Sequence, residues 1–67
     1  MAERLVNRLK ERRAELGLTQ AELAEAVGVT RKTVNTVENG VFVPSTVLAL
    51  KLARALSEPV EKLFWLD

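Results

Sequence analysis

The chain has 67 residues, no cysteine, histidine or tyrosine, and ten basic against nine acidic residues, for a net charge of +1. That length suits one compact domain, and the missing thiols and imidazoles exclude a disulfide framework, a zinc site built on them and the commonest acid–base catalysts. No apolar run approaches the ~20 residues of a membrane span, and the charged N-terminus lacks the apolar core of a signal peptide, so a cytoplasmic protein with no membrane partner is expected. A domain this small buries only about 60% of the surface that its unfolded chain exposes. Regular helix packing, or association with a second chain, is expected to compensate. The charges are unevenly placed: Arg4, Arg8, Lys10, Arg12 and Arg13 crowd the first segment, Arg31 and Lys32 are adjacent, and Glu58, Glu61 and Asp67 lie towards the end. This suggests a molecule with a basic and an acidic side.

Glycines and prolines divide the chain into short pieces, most with helical periodicity. The spacing predicts a first helix over residues 3–16, with Leu5, Leu9 and Leu16 on one apolar stripe and Gly17 as its stop. The second helix opens at Thr19, because Thr19-Gln20-Ala21-Glu22 has the form of a capping box. Leu23, Ala24 and Val27 make its buried face, and Gly28 ends it. The third helix runs from the N-cap Thr30 to about Asn39. Val34 and Val37 point inward, so Arg31, Lys32, Asn35 and Thr36 fall on a polar outer face. Residues 41–44 read as a loop, since Pro44 opposes a strand. Ser45 caps a fourth helix with Ala49, Leu52, Ala53 and Leu56 as its buried stripe, and Pro59 fits the first turn of a short fifth helix.

Residues 20–37 therefore read as helix, tight glycine turn, helix. Neither helix is long enough to stand alone in water. Packed at a fixed angle, they present the second as a rigid ridge for a DNA major groove about 12 Å wide. Ala24 is small where the helices must cross, and Gly28 sits at the turn.

The stretches Leu16-Gly17-Leu18-Thr19-Gln20-Ala21-Glu22-Leu23-Ala24, Gly28-Val29-Thr30-Arg31-Lys32-Thr33-Val34, Val37-Glu38-Asn39-Gly40, Pro44-Ser45 and Leu52-Ala53-Arg54-Ala55-Leu56 resemble the Cro and phage-repressor helix-turn-helix family of XRE-type regulators. The resemblance runs through nearly the whole chain without gaps. Ser57 departs from it, standing where the family usually carries a helix-ending glycine. The resemblance implies an all-α, five-helix lambda-repressor-like DNA-binding domain over residues 1–67, with the helix-turn-helix at helices 2 and 3. It implies double-stranded DNA as partner, with neither cofactor, metal nor small-molecule ligand. Base contacts are expected from Arg31, Lys32, Thr33, Asn35 and Thr36. Arg suits guanine O6 and N7, and Asn35 suits bidentate pairing with adenine. Phosphate contacts are expected from Arg13, Thr19, Gln20 and Asn39. Ala24, Gly28 and Glu38 are structural, Glu38 through an ion pair with Arg13 that the family forms between the first and third helices.

The tail Leu63-Phe64-Trp65-Leu66 holds two of the three aromatic residues. Burying each large side chain gains roughly 1.5–3 kcal/mol, so the tail should pack on its own core or on a partner. Leu63 is expected in the core. Phe64, Trp65 and Leu66 are expected at a two-fold homodimer interface within the tail at 63–67, with tail strands pairing across it. The leading function is a homodimeric repressor on a palindromic operator. An antitoxin and a protein-interaction module on the same fold are the competing functions. An enzyme is the least expected class, there being no glycine-rich phosphate loop and no carboxylate pair in an obvious cleft.

Overall fold

A computed structural model describes residues 3–67. Within them the element order is β1 (Leu5–Asn7), α1 (Leu9–Glu15), α2 (Gln20–Val27), α3 (Arg31–Glu38), α4 (Thr46–Ala55), α5 (Val60–Leu63) and β2 (Phe64–Leu66). The five expected helices are present, and the two strands form a small antiparallel sheet beside them.

The expected caps start α2, α3 and α4. The Thr19 hydroxyl accepts the Glu22 amide at 3.0 Å while Glu22 Oε1 accepts the Thr19 amide at 2.8 Å, closing the capping box in both directions. Thr30 accepts from the Thr33 amide and Ser45 from the Leu48 amide, at 3.2 and 3.1 Å. Each cap satisfies a first-turn donor that has no intrahelical partner. Gly28 ends α2 in the left-handed region at φ 76°, which costs glycine nothing and an L-residue roughly 1–2 kcal/mol. The Val29 amide then returns to the Ala24 carbonyl at 3.0 Å, and the chain turns at once into α3.

The core is one cluster. Leu23, Ala24 and Val27 of α2 meet Val34 and Val37 of α3, and Leu52, Ala53 and Leu56 close it from the α4 side. Leu9 and Leu63 complete it, both fully buried. Ala49 is only half-buried, so the α4 stripe is narrower at its N-terminal end than expected.

The first helix is shorter than its periodicity predicts. Residues 5–7 form β1 and pair with β2 in the register Leu5–Leu66, Val6–Trp65 and Asn7–Phe64. Asn7 supplies the physical reason. Its Oδ1 accepts the Leu9 amide at 3.1 Å, a local turn that starts α1 and competes with helix. Its Nδ2 donates to the Val37 carbonyl at 2.9 Å, tying β1 to the end of α3. Of the expected stripe, only Leu9 reaches the core. Leu5 lies in the strand, and Leu16 is 41% exposed. The tail strand expected to pair across a dimer thus pairs with β1 of its own chain. Leu63 is in the core as expected, Phe64 packs against it, and Trp65 and Leu66 stay largely exposed.

The departure at Ser57 has a geometric consequence. Ser57 adopts φ 53°, left-handed like the glycine it stands in for, while the Glu58 amide returns to the Ala53 carbonyl at 3.1 Å. Replacing Ser57 by Gly should relieve that strain, partly offset by the greater freedom of glycine in the unfolded chain. The expected gain is about 0.5–1 kcal/mol, read as a higher urea midpoint at unchanged slope. A lower midpoint would show that the Ser57 side chain stabilises the turn by more than its backbone strain costs.

Candidate nucleic-acid interface

The interface is built from two short helices, α2 and α3, packed on each other, with one ion pair tying the end of α3 to α1. Ala24 of α2 is 3% exposed and shares one buried cluster with Val34 and Val37 of α3, where a larger side chain would have to displace its neighbours. Arg13 on α1 reaches Glu38 at the end of α3, with Nε donating to Oε2 at 2.7 Å and Nη2 to Oε1 at 3.2 Å. Its Nη1 also donates to the Leu18 carbonyl at 2.9 Å. The two side chains are only 14% and 3% exposed. The hydrogen bond to Glu38 raises the Arg13 pKa above its ordinary value, against an opposing effect of burial. This fork-on-fork contact is the ion pair expected from the family pattern.

Gln20 and Asn39 extend the pair into a network. Gln20 Nε2 donates to Glu38 Oε1 at 3.0 Å and to Asn35 Oδ1 at 3.2 Å. Asn39 Nδ2 donates to the Asn35 carbonyl at 2.9 Å and to Asn35 Oδ1 at 3.0 Å. The side chain of Gln20, expected at a phosphate, is thus turned towards α3. The first-turn amides of α2 remain without intrahelical partners, as at any helix start.

On the outer face of α3, Arg31, Lys32 and Asn35 are exposed and together line a shallow concavity of about 250 Å³. Thr33 and Thr36 flank them, half-buried. The Thr33 hydroxyl shares a hydrogen bond with that of Thr30 at 3.1 Å, and the Thr36 hydroxyl donates to the Thr33 carbonyl at 2.9 Å. Thr36, its hydroxyl proton spent on that carbonyl, therefore offers chiefly a methyl and spare lone pairs to a partner. The structure brings all five expected base-contacting residues to one helix, with Thr19, Gln20, Asn39 and Arg13 around its edges.

The charge distribution differs from the two-sided molecule expected. Among the described residues Arg4 pairs with Asp67, Arg8 with Glu15 and Glu58, Arg12 with Glu15 and Arg13 with Glu38. The basic first segment is thereby largely neutralised by the protein's own acids. Neither Arg31 nor Lys32 has an ion-pair partner among those residues, so the unopposed positive charge of the interface sits on α3. Three residues escaped the sequence reading. Arg12 Nε donates to the Leu56 carbonyl at 2.8 Å and so satisfies the end of α4. Arg8 Nη1 meets Glu58 at 3.2 Å, and Asn7 bridges β1 and α3. Only Asn7 carried a signal, an Asn two residues before an apolar helix start; the arginines act across 44 and 50 residues of chain.

The family profile described as Helix-turn-helix matches residues 9–63. The chain belongs to the helix-turn-helix transcriptional regulators. It is 51% identical over 61 residues to the uncharacterized HTH-type transcriptional regulator YgzD of Bacillus subtilis (strain 168), covering 91% of this chain and 92% of that protein. Among solved structures, it superposes with a TM-score of 0.78 and 43% identity on the restriction-modification controller protein C.AhdI of Aeromonas hydrophila, covering 84% of this chain and 81% of that one. The P22 c2 repressor, solved in complex with a synthetic operator, gives the same TM-score of 0.78 at 30% identity, over 81% of this chain and 82% of that one. The regulator therefore has the lambda-repressor-like fold, with a small sheet added. It is a DNA-binding protein of transcription and not an enzyme.

Proposed function

We propose that the regulator is a cytoplasmic homodimeric repressor that binds a palindromic operator through α3 laid in the major groove. The observation that carries the reading is the open face of α3, where Arg31, Lys32 and Asn35 share one concavity and both cations lack an ion-pair partner among the described residues. In this reading Arg31 and Lys32 reach guanine edges, and Asn35, Thr33 and Thr36 complete the base contacts. Thr19, the α2 start at Gln20, Asn39 and the outer edge of Arg13 take phosphate oxygens and fix the register.

A second copy is the partner that suits the remaining apolar surface. Phe64 and Leu66 share the sheet face of Leu5. Leu5 and Phe64 line a groove with Pro44, Ala49, Leu50 and Val60. Beside it Val43, Val47, Leu50 and Leu66 are 68%, 63%, 53% and 60% exposed. An isologous contact of Phe64 and Leu66 with this patch would cover it, with Trp65, on the opposite face of β2, at its edge. It would also give the two-fold symmetry that a palindrome mirrors, with recognition helices about 34–36 Å apart.

Titrating an operator duplex and a scrambled one at rising salt tests the reading. The operator is expected to bind at least about 10³-fold more tightly than the scrambled duplex, with both affinities falling as salt rises. Equal affinity for the two duplexes would sink sequence-specific repression. In the same assay Leu66→Lys is expected to yield a monomer by sedimentation and to lose the operator preference. A Leu66→Lys protein that remains dimeric would place the interface elsewhere.

A further inference from the structure

The amide of Asn35 is polarised by its neighbours, and the chain of constraints begins at a carboxylate. Glu38 can only accept, so the Gln20 atom 3.0 Å from its Oε1 is the donor Nε2. The Asn35 backbone carbonyl can only accept, so the Asn39 atom 2.9 Å from it is the donor Nδ2. Both donors then converge on one atom of the Asn35 side chain, at 3.2 and 3.0 Å. That atom must be an acceptor, Oδ1, and its two lone pairs are both taken. What remains for a partner, on an exposed residue of the Arg31–Lys32–Asn35 concavity, is Nδ2 with its N–H groups.

We infer that Asn35 meets DNA as a hydrogen-bond donor alone, and that Gln20 and Asn39 are the positioning residues that make it so. The inference rests on α3 being the DNA-facing helix. Pairing with adenine needs the same amide to accept from N6 and donate to N7, and here the accepting half is occupied twice. A donor-only amide fits an acceptor-only target. Three targets on DNA supply that chemistry: the O6/N7 edge of guanine, O4 of thymine and a phosphate oxygen. The expectation that Asn35 suits adenine considered the residue type alone; its neighbours on α2 and at the end of α3 set which half of the amide faces out.

The test uses the full chain and a duplex library covering every base at each operator position. Asn35→Asp keeps an acceptor for Gln20 and Asn39 but replaces the outward N–H groups by an anionic oxygen. It is expected to leave the thermal midpoint nearly unchanged and to weaken binding by about tenfold or more, within the range for one lost polar contact. Asn35→Ala then separates the two sources. Loss of a guanine or thymine preference at one position in each half-site assigns the base edge. Equal weakening of every duplex, at an unchanged salt slope because asparagine carries no charge, assigns the phosphate. If the base edge is assigned, the Gln20→Leu/Asn39→Ala double variant frees Oδ1, and adenine should become tolerated at that position. An adenine preference in the parent protein that Asn35→Ala abolishes would overturn the inference while leaving the repressor reading intact. Binding by Asn35→Asp at the parent affinity would also overturn it. A library with no preferred duplex would instead bring down the repressor reading, and this inference with it.

Discussion

Arg13→Ala should destabilise the regulator by about 3 kcal/mol, the low end of the cost of breaking a buried ion pair by removing one partner. The change strands Glu38, a carboxylate only 3% exposed, with Gln20 as its remaining side-chain donor. For a chain of this length, total stability at roughly 0.05–0.15 kcal/mol per residue is of the order of 3–10 kcal/mol. A large part of the protein should therefore unfold at 37 °C. Glu38→Ala should cost less. The long Arg13 side chain is already 14% exposed and can carry its charge towards water. Urea titration of both variants and of an Arg13→Met/Glu38→Leu pair reads the asymmetry directly. The apolar pair should recover much of the loss, because a well-packed apolar replacement avoids desolvating two charges. Losses below about 1 kcal/mol for both single variants would mean that the pair behaves as an exposed surface contact.

Leu63→Ala should cost about 2–5 kcal/mol, the range for truncating a fully buried leucine. Leu63 joins α5 to the core, its carbonyl accepts the Arg8 amide at 3.0 Å, and β2 begins at the next residue. Its truncation should loosen the sheet along with the core. Leu16→Ala is the matched control. That leucine lies on the stripe expected for the first helix, yet it is 41% exposed, so its loss should cost about 1 kcal/mol or less. Thermal or urea unfolding of the two variants separates them clearly. Similar losses would return Leu16 to the core and contradict the shortened α1.

The parts of the fold that could be read in advance are those coded by neighbours in sequence. Thr19, Thr30 and Ser45 each announce a helix start through a side chain that bonds three residues on, and Gly28 announces the turn through its left-handed backbone. The inward residues of α2 and α3 follow from a 3.6-residue period, and the outer set of Arg31, Lys32 and Asn35 is their complement. What escaped is non-local. Leu5 satisfies a helical stripe as well as a strand, and only the partner strand, some 60 residues away in register, decides between them. A strand depends on its cross-strand neighbours more than on its own propensity. Arg4 and Arg8 look like part of a basic face until Asp67 and Glu58 are brought beside them. The same limit applies to the site. Residue type marks Gln20, Asn35 and Asn39 as DNA-contacting candidates, but the direction in which each amide points is set by Glu38, and through it by Arg13 on another helix.

Binding-site selection from a randomised duplex pool tests the central claim most directly. Sequence-specific reading by a two-fold pair of α3 helices predicts an inverted repeat, with half-site centres one helical turn apart. It further predicts that Arg31→Ala erases the preference at one position of each half-site. Recovery of no motif, with retention that depends on salt alone, would contradict it.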